Sequence, residues 1–256
     1  MPHNLSQYLN KQATQTLIKE NESFNFTCAE KCWGTCCIKE NVNLLQLSVY
    51  DVYKLLNKRT DISINSLIDI KIDEKTNLPK AFIKWKENGW CPNLADDGTC
   101  MVYDERPFAC RIFPLSGEFM INDETKNVTV NYKLREDFCY GFHKEAHPEE
   151  QTLKTFSDSN DENFEKLEIS KREEWVKKYN LEKLTNQQFL NLSQAMYCLK
   201  EKITGKRDNF FDYYSKMLKI PQRSKRLEIF TPAELTKIAL EEFAPRMLEK
   251  FGAHRA

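Results

Sequence analysis

Short apolar runs separated by polar turns fill the first half of the chain. Residues 42–47 are mostly apolar and predict a strand, and Ser48 with Asp51 three residues later predicts the capped start of a helix. Alternating apolar and polar positions at 81–85 predict a second strand. Two further runs within 118–133, separated by a polar turn, predict a β-hairpin.

Helical spacing dominates the second half. Thr185 and Gln188 have the spacing of a capping box, and the apolar side chains that follow recur at steps of three and four residues. These apolar positions are Phe189, Leu192, Met196, Leu199 and Ile203. Thr231 followed by Pro232 predicts the start of another helix, in which Pro245 should introduce a kink.

A polar, turn-rich stretch at 157–163 predicts the boundary between the two halves. We therefore expect an α+β protein with two parts. Residues 1–150 should form a small mixed α+β domain that contains the hairpin and is held together by bound metal. Residues 151–256 should form an α-helical domain or extension. Metal is expected to stabilise the first part because short elements around a metal site commonly obtain their stability from the metal.

Charge and hydropathy narrow the class of protein. The chain has 256 residues, in which 38 Lys and Arg balance 38 Asp and Glu. Nucleic-acid-binding proteins are usually basic, so no nucleic-acid partner is expected. No apolar stretch reaches the roughly 18 residues of a membrane helix, and the N-terminus lacks the apolar run of a secretory signal. We therefore expect a cytoplasmic protein without a membrane partner, in a compartment that keeps thiols reduced.

The cysteines are unevenly distributed. Of the nine, Cys198 stands alone in the second half. The other eight are Cys28, Cys32, Cys36, Cys37, Cys91, Cys100, Cys110 and Cys139. A disulfide framework requires an oxidising compartment and is typical of shorter secreted chains. We therefore favour a metal ion or an iron–sulfur cluster over disulfides or unconnected structural thiols.

The first cysteine segment ends in an adjacent pair. Cys28, Cys32 and Cys36 follow one another at equal spacing, and Gly34 lets the backbone bend between them. Cys36 and Cys37 should point in different directions, so both rarely bind one mononuclear ion. They could serve two sites, or one could bind metal while the other packs or reacts.

The remaining cysteines lie in segments with turn signals. An Asp-Asp-Gly turn should return Cys100 towards Cys91 and form a knuckle. Cys110 should lie on a short helical turn between two prolines. Cys139 follows the predicted hairpin and completes the set.

Two arginines flank Cys110. Four thiolates around Zn²⁺ or around a four-iron cluster leave a net negative charge, which nearby cations should offset. Arg106 and Arg111 are the candidates for this second layer around the metal. The alternative is that both form ordinary surface salt bridges.

The cysteine pattern resembles the YkgJ-type cysteine-cluster family. The match rests on the spacing within 28–37, on CPNLADDGTCMVYDERPFACRIFP at 91–114, and on a later cysteine. It covers roughly residues 24–142 and implies a zinc- or iron-chelating domain whose metal set is the eight cysteines. The first segment has gaps one residue longer than the usual CxxCxxCC of that family. It also looks like the cluster of flagellin lysine N-methylases, which share the domain.

Two functions compete. The first is a metal-binding protein that holds zinc or iron, or a [4Fe–4S] cluster, and acts in metal handling, redox sensing or binding of a protein partner. The second, implied only by the resemblance, is a protein lysine N-methylase that uses S-adenosylmethionine and a protein substrate. The chain has no glycine-rich phosphate loop and no catalytic triad spacing. Catalytic residues are therefore unknown, and whether the protein is an enzyme stays open.

Overall fold

A computed structural model describes residues 15–28, 34–40, 42, 44–135, 139–156, 159–197 and 230–251. Within them the protein is α+β, as predicted, with its sheets in the N-terminal half and most helices in the C-terminal half. None of the helices in these ranges combines the length and apolar character that crossing a membrane requires.

The chain forms two compact units, each made from two separated stretches of sequence. Unit 1 comprises residues 1–45 and 83–163, and unit 2 comprises residues 46–82 and 164–256. The sequence-based division at residue 150 stays a prediction about domains, since compactness alone does not show which part folds by itself.

Unit 1 contains a three-stranded sheet and a two-stranded sheet. β6 (Leu115–Ile121) and β7 (Val128–Arg135) form the predicted antiparallel hairpin. β1 (Gln15–Ile18) pairs antiparallel with β7, so the strand order is β1–β7–β6. β2 (Ser23–Phe26) pairs antiparallel with β8 (Glu149–Thr152). The two strands nearest the N-terminus, β1 and β2, thus pair with strands more than a hundred residues later in the sequence.

One apolar cluster packs against these strands and includes Phe108 of the short helix α3 (Phe108–Arg111). Its buried members are Ile18, Phe24, Phe26, Phe108, Ile112, Leu115, Tyr132, Leu134, Cys139 and Leu153. Because Phe108 is buried here, the cluster anchors the helical turn that carries Cys110. Cys139 belongs to the cluster itself.

Unit 2 begins with a small sheet and a capped helix. Its strands are β3 (Gln46–Leu47), β4 (Ile68–Ile72) and β5 (Pro79–Ile83), in the order β3–β5–β4. The predicted strand at 42–47 is therefore only two residues long. A single helical turn, α2 (Ile64–Leu67), directly precedes β4.

Helix α1 (Val49–Lys58) begins with the predicted cap. The Asp51 N–H donates to Ser48 Oγ at 3.2 Å, and the Ser48 N–H donates to the Asp51 carboxylate at 3.3 Å. The reciprocal bonds satisfy two backbone donors that the helix itself leaves unpaired.

Helix α5 (Ser159–Lys178) begins inside the stretch that was predicted to be a boundary. Asp161 and Glu162 lie in its first turn, where the helix dipole favours negative charge. Polar residues that are typical of turns therefore also favour the first turn of a helix, as Asp161 and Glu162 do here. A single turn, α4 (Leu153–Phe156), lies before it.

Helix α6 (Asn186–Tyr197) begins with the predicted capping box. The Thr185 N–H donates to Gln188 Oε1 at 2.9 Å, and the Gln188 N–H donates to Thr185 Oγ1 at 3.2 Å. Leu192 and Met196 of the predicted apolar stripe are buried. Leu199 and Ile203 lie outside the described residues, as does Cys198.

The last helical run contains a wider segment. α7 (Pro232–Lys237) begins with the predicted cap at Thr231, a π-helix follows at Ile238–Phe243, and α8 (Ala244–Lys250) completes the run. The π segment ends two residues before Pro245, where a kink was predicted. Proline has no N–H to donate the regular i→i−4 bond. In the π segment the backbone bonds connect residues five positions apart, so the helix is wider there.

Candidate metal centre

Unit 1 contains all eight cysteines of the predicted set. Seven of them are described, and these seven are thiols and not halves of disulfides. Cys32 lies outside the described residues. The structure therefore shows how seven of the predicted ligands are positioned by the backbone.

A tight turn at Gly34 positions Cys36 and Cys37. Gly34 has a φ of 80°, in the left-handed region that glycine tolerates best. It precedes a 3₁₀ helix at Thr35–Cys37, and the Cys37 N–H donates to the Gly34 carbonyl at 3.0 Å. The bend predicted at Gly34 is confirmed.

The first and second cysteine segments are joined by backbone pairing. Ile38 and Trp90 form an isolated antiparallel bridge. Next to it, the Cys91 N–H donates to the Cys37 carbonyl at 2.9 Å. The two cysteines are therefore neighbours across a backbone contact between two segments of the chain, which their spacing in the sequence does not reveal.

The knuckle predicted between Cys91 and Cys100 is present. The Ala95 N–H donates to the Thr99 carbonyl at 2.9 Å, and Leu94 forms an antiparallel bridge with Cys100. Gly98, with a φ of 88°, supplies the reversal. The turn thus folds Cys100 back beside the segment that begins with Cys91.

Cys110 lies on the short helical turn that the sequence predicts. Its N–H donates to the Pro107 carbonyl at 2.9 Å within α3. The Phe108 side chain on the same helix is buried in the apolar cluster of unit 1. Burial of Phe108 therefore fixes the position of the helical turn that carries Cys110.

Cys28 and Cys139 approach each other through a contact that the sequence analysis missed. The Thr27 N–H donates to the Gly141 carbonyl at 3.2 Å. A Cβ on Gly141 would lie 2.4 Å from both the Phe26 ring and the Thr27 carbonyl oxygen. Only glycine permits this approach. The one sign of it in the sequence is that Gly141 follows Cys139 by two residues.

The thiols are near enough to act on one another electrostatically. Cys36 interacts with Cys28, Cys91, Cys100 and Cys139, and Cys37 interacts with Cys91 and Cys110. Cys28 also interacts with Cys139. All seven described cysteines therefore belong to one connected group.

Burial raises the pKa values of three of these thiols, Cys91, Cys100 and Cys139. It raises the pKa of Cys91 to about 11 and the pKa of Cys139 to about 12. A hydrogen bond between the Cys36 and Cys37 thiols lowers the pKa of Cys36 and raises the pKa of Cys37. Without metal, Cys91, Cys139 and Cys37 are thus protonated at neutral pH.

The two flanking arginines have different surroundings. Arg106 lies over the Tyr103 ring, with its guanidinium carbon 3.8 Å from the ring centre. Its charge adds to the Cys37 hydrogen bond in lowering the pKa of Cys36, and it opposes the rise that burial causes in the pKa of Cys100. Arg111 donates to the Asp104 carbonyl at 2.7 Å and forms an ion pair with Asp161 at 3.1 Å. The charge of Arg106 acts on the thiols, whereas the bonds of Arg111 connect α3 with the 3₁₀ helix at Tyr103–Glu105 and with α5.

The donor chemistry fits zinc or iron, because both bind cysteine thiolates. The seven described cysteine side chains lie in one region, but they do not have the geometry that metal coordination requires. In the described part of the chain, no group of three or more His, Cys, Asp or Glu side chains could hold a metal ion as it stands. The Cys36–Cys37 hydrogen bond would have to open before both sulfurs could coordinate.

A family model described as "Putative zinc- or iron-chelating domain", with the pattern CxxCxxCC, matches residues 27–175, more than half of the chain. The chain belongs to this family. The chelating domain extends beyond the end expected near residue 142 and includes β8 and most of α5. Its description supports metal binding in general, with zinc and iron both open. No curated protein and no solved structure is significantly similar to the chain.

Proposed function

We propose that this protein binds zinc or iron through the eight cysteines of unit 1. One observation carries the proposal: backbone contacts bring cysteines from separate segments together, as the Cys91 N–H bond to the Cys37 carbonyl does at 2.9 Å. Thiols that merely fill a core have no need of such convergence. Membership of the chelating-domain family supports the same interpretation.

The proposed ligands are the seven described thiols together with Cys32. A tetrahedral zinc ion or a [4Fe–4S] cluster would each be bound by thiolates alone. The Arg106 guanidinium would offset part of the resulting negative charge, since it already interacts with Cys36 and Cys100. The choice between zinc, iron and a cluster is left to experiment.

Bound metal would also stabilise the cysteine segments. They consist of three-residue 3₁₀ turns, isolated bridges and the single turn α3. Elements this short are rarely stable alone, and metal binding supplies folding free energy directly. Bound metal would thus stabilise the fold of unit 1 in addition to being bound by it.

The test is the metal content of protein purified without oxygen. We expect zinc or iron in a fixed ratio to the chain, and a clear loss of it in Cys100→Ser and Cys110→Ser. Cys198→Ser is the matched control and should keep its metal. Equal metal content in all three variants, or no bound metal in the wild type, would overturn the proposal.

The lysine methylase alternative stays a hypothesis that rests on the resemblance. Incubation of the metal-loaded protein with labelled S-adenosylmethionine and flagellin tests it, with transfer of label to lysine as the positive result.

A further inference from the structure

We propose that three of the cysteines are preformed ligands, whose metal-bound sulfurs each accept a hydrogen bond from the backbone amide two residues later. This arrangement rests on the proposed metal binding and separates two kinds of ligand within the same set. The preformed ligands are Cys91, Cys100 and Cys139, and the donating amides are those of Asn93, Val102 and Gly141.

The three cysteines share one backbone feature, because each is the first residue of a turn that is closed by a hydrogen bond to its own carbonyl. In each turn the N–H of the residue three positions later donates to the cysteine carbonyl: Leu94 to Cys91 at 3.1 Å, Tyr103 to Cys100 at 3.2 Å, and Phe142 to Cys139 at 3.3 Å. Such a turn allows the N–H of its third residue to reach the side chain of its first, as Asp, Asn and Ser side chains show when they bind the amide two residues on. A sulfur in the first position can accept the same bond.

In all three turns the amide reaches the sulfur. The backbone of the third turn residue hydrogen-bonds to the thiol, and this bond opposes the rise that burial causes in the pKa of the thiol; the pairs are Asn93 with Cys91, Val102 with Cys100, and Gly141 with Cys139. A bond from an N–H favours thiolate over thiol, and it is stronger when the sulfur is charged. Since metal binds the thiolate, these bonds should persist and strengthen when metal is present.

Cys37 and Cys110 have a different backbone around them. The amide two residues after Cys37 is that of Lys39, which donates to the Gly89 carbonyl at 2.8 Å. The amide two residues after Cys110 is that of Ile112, which donates to the carbonyl of the first residue of α3 at 3.0 Å. Both amides are thus committed to backbone acceptors, so neither donates to the sulfur two residues before it.

This difference has a consequence for metal binding. Hydrogen bonds to a ligand orient it and adjust the charge that it presents to the metal. A sulfur that its own turn already orients loses less conformational freedom when metal binds. The three turn cysteines should therefore bind metal in the orientation that the backbone gives them, whereas Cys37 and Cys110 lack this support.

Nuclear magnetic resonance of the reduced full-length wild-type protein, labelled with ¹⁵N and loaded with ¹¹³Cd²⁺ in place of Zn²⁺, tests the amide bonds directly. The cadmium spin couples to the β-protons of each cysteine that binds it, which identifies the ligands. Through an N–H···S bond it also couples to the amide proton. We expect amide couplings at Asn93, Val102 and Gly141, and none at the matched control amides of Lys39 and Ile112.

Cadmium that binds to cysteines without coupling to the three turn amides, or that couples equally to the two control amides, would overturn the preformed ligands and leave metal binding intact. Preformed thiolates should bind this soft ion whichever metal is native. Binding of iron without any binding of cadmium would therefore overturn them as well. A chain that binds neither zinc, iron nor cadmium would instead overturn the proposed function.

Discussion

Arg106 and Arg111 are close in the sequence, and only their surroundings separate their roles. The charge of Arg106 acts on Cys36 and Cys100, and its Nε–H donates to the Tyr103 carbonyl at 2.8 Å, which holds the side chain in place. The ion pair of Arg111 with the buried Asp161 connects α3 and α5. Sequence proximity to a cysteine therefore does not identify which cation offsets the thiolates.

Removal of the Arg106 charge should weaken metal binding. We expect Arg106→Gln to lower metal affinity by about tenfold, the lower end of the range for groups that support metal ligands. Arg111→Gln is the control and should lower stability with little change in affinity. Competition with a coloured chelator measures both affinities. Equal losses of affinity in the two variants would contradict the distinction between the arginines.

Metal affinity should rise with pH. Thiolate is the form that binds metal, and burial keeps Cys91 and Cys139 protonated at neutral pH by raising their pKa values to about 11 and about 12. Metal must therefore displace protons, and displacement becomes easier as pH increases. Calorimetry in buffers of different ionisation enthalpy measures the protons released. An affinity that does not change between about pH 6 and pH 8 would contradict this expectation.

At the scale of elements, local signals in the sequence were sufficient where the contacts are local. The caps at Ser48, Thr185 and Thr231 and the β6–β7 hairpin are confirmed, because each depends on residues a few positions apart. The pairings of β1 with β7 and β2 with β8 were not predicted. Their partners are distant in sequence, and a four-residue strand has too short a pattern to identify them.

The start of α5 within 157–163 was not predicted, for a different reason. Charged residues are distributed over α5 without a clear apolar stripe, so periodicity could not distinguish a helix from a polar linker. In contrast, the knuckle at 91–100 was predicted from its turn residues alone. The candidate site was thus predictable within each segment, whereas the pairing between segments was not.

Gly141 should be required for the backbone contact between Thr27 and the Cys139 turn, which brings Cys28 and Cys139 close together. In Gly141→Ala the new Cβ would lie 2.4 Å from the Thr27 carbonyl oxygen, a backbone atom that cannot move cheaply. We expect a loss of about 1–3 kcal/mol in the free energy of unfolding, as for other overpacked sites, and weaker metal binding. Chemical denaturation and metal titration measure the two effects.

Gly117→Ala provides the matched control for that variant. The nearest atom to a Cβ at Gly117 is Val130 Cγ2, at 3.2 Å, which belongs to a side chain that can shift. Its effect on unfolding should be smaller and its metal affinity unchanged. If Gly141→Ala behaved like Gly117→Ala, the approach of β2 to the Cys139 turn would not position the cysteines.

At the scale of the whole molecule, the two units differ in what stabilises them. Unit 2 has large, fully buried side chains, among them Tyr53, Trp175 and Phe243, and the Tyr53 hydroxyl donates to the Met196 carbonyl at 2.7 Å. The cysteine segments of unit 1 depend on short turns and isolated bridges. The contribution of metal to stability should therefore be concentrated in unit 1.

Metal removal should affect the two units unequally. After treatment with a strong chelator, amide exchange should accelerate in residues 34–40 and 91–111, while α1 and α6 of unit 2 remain protected. Hydrogen–deuterium exchange with mass spectrometry follows both units in one sample. Equal loss of protection in both would show that unit 2 also depends on the metal.

The anaerobic metal and thiol content of the full-length protein tests convergence of the cysteines on metal most directly. Plasma mass spectrometry gives zinc and iron per chain, and alkylation before and after chelation gives the number of cysteines that metal protects. We expect a fixed metal ratio and eight protected cysteines, with Cys198 outside the protected set. A metal-free protein whose cluster cysteines alkylate readily, or are joined as disulfides, would contradict it.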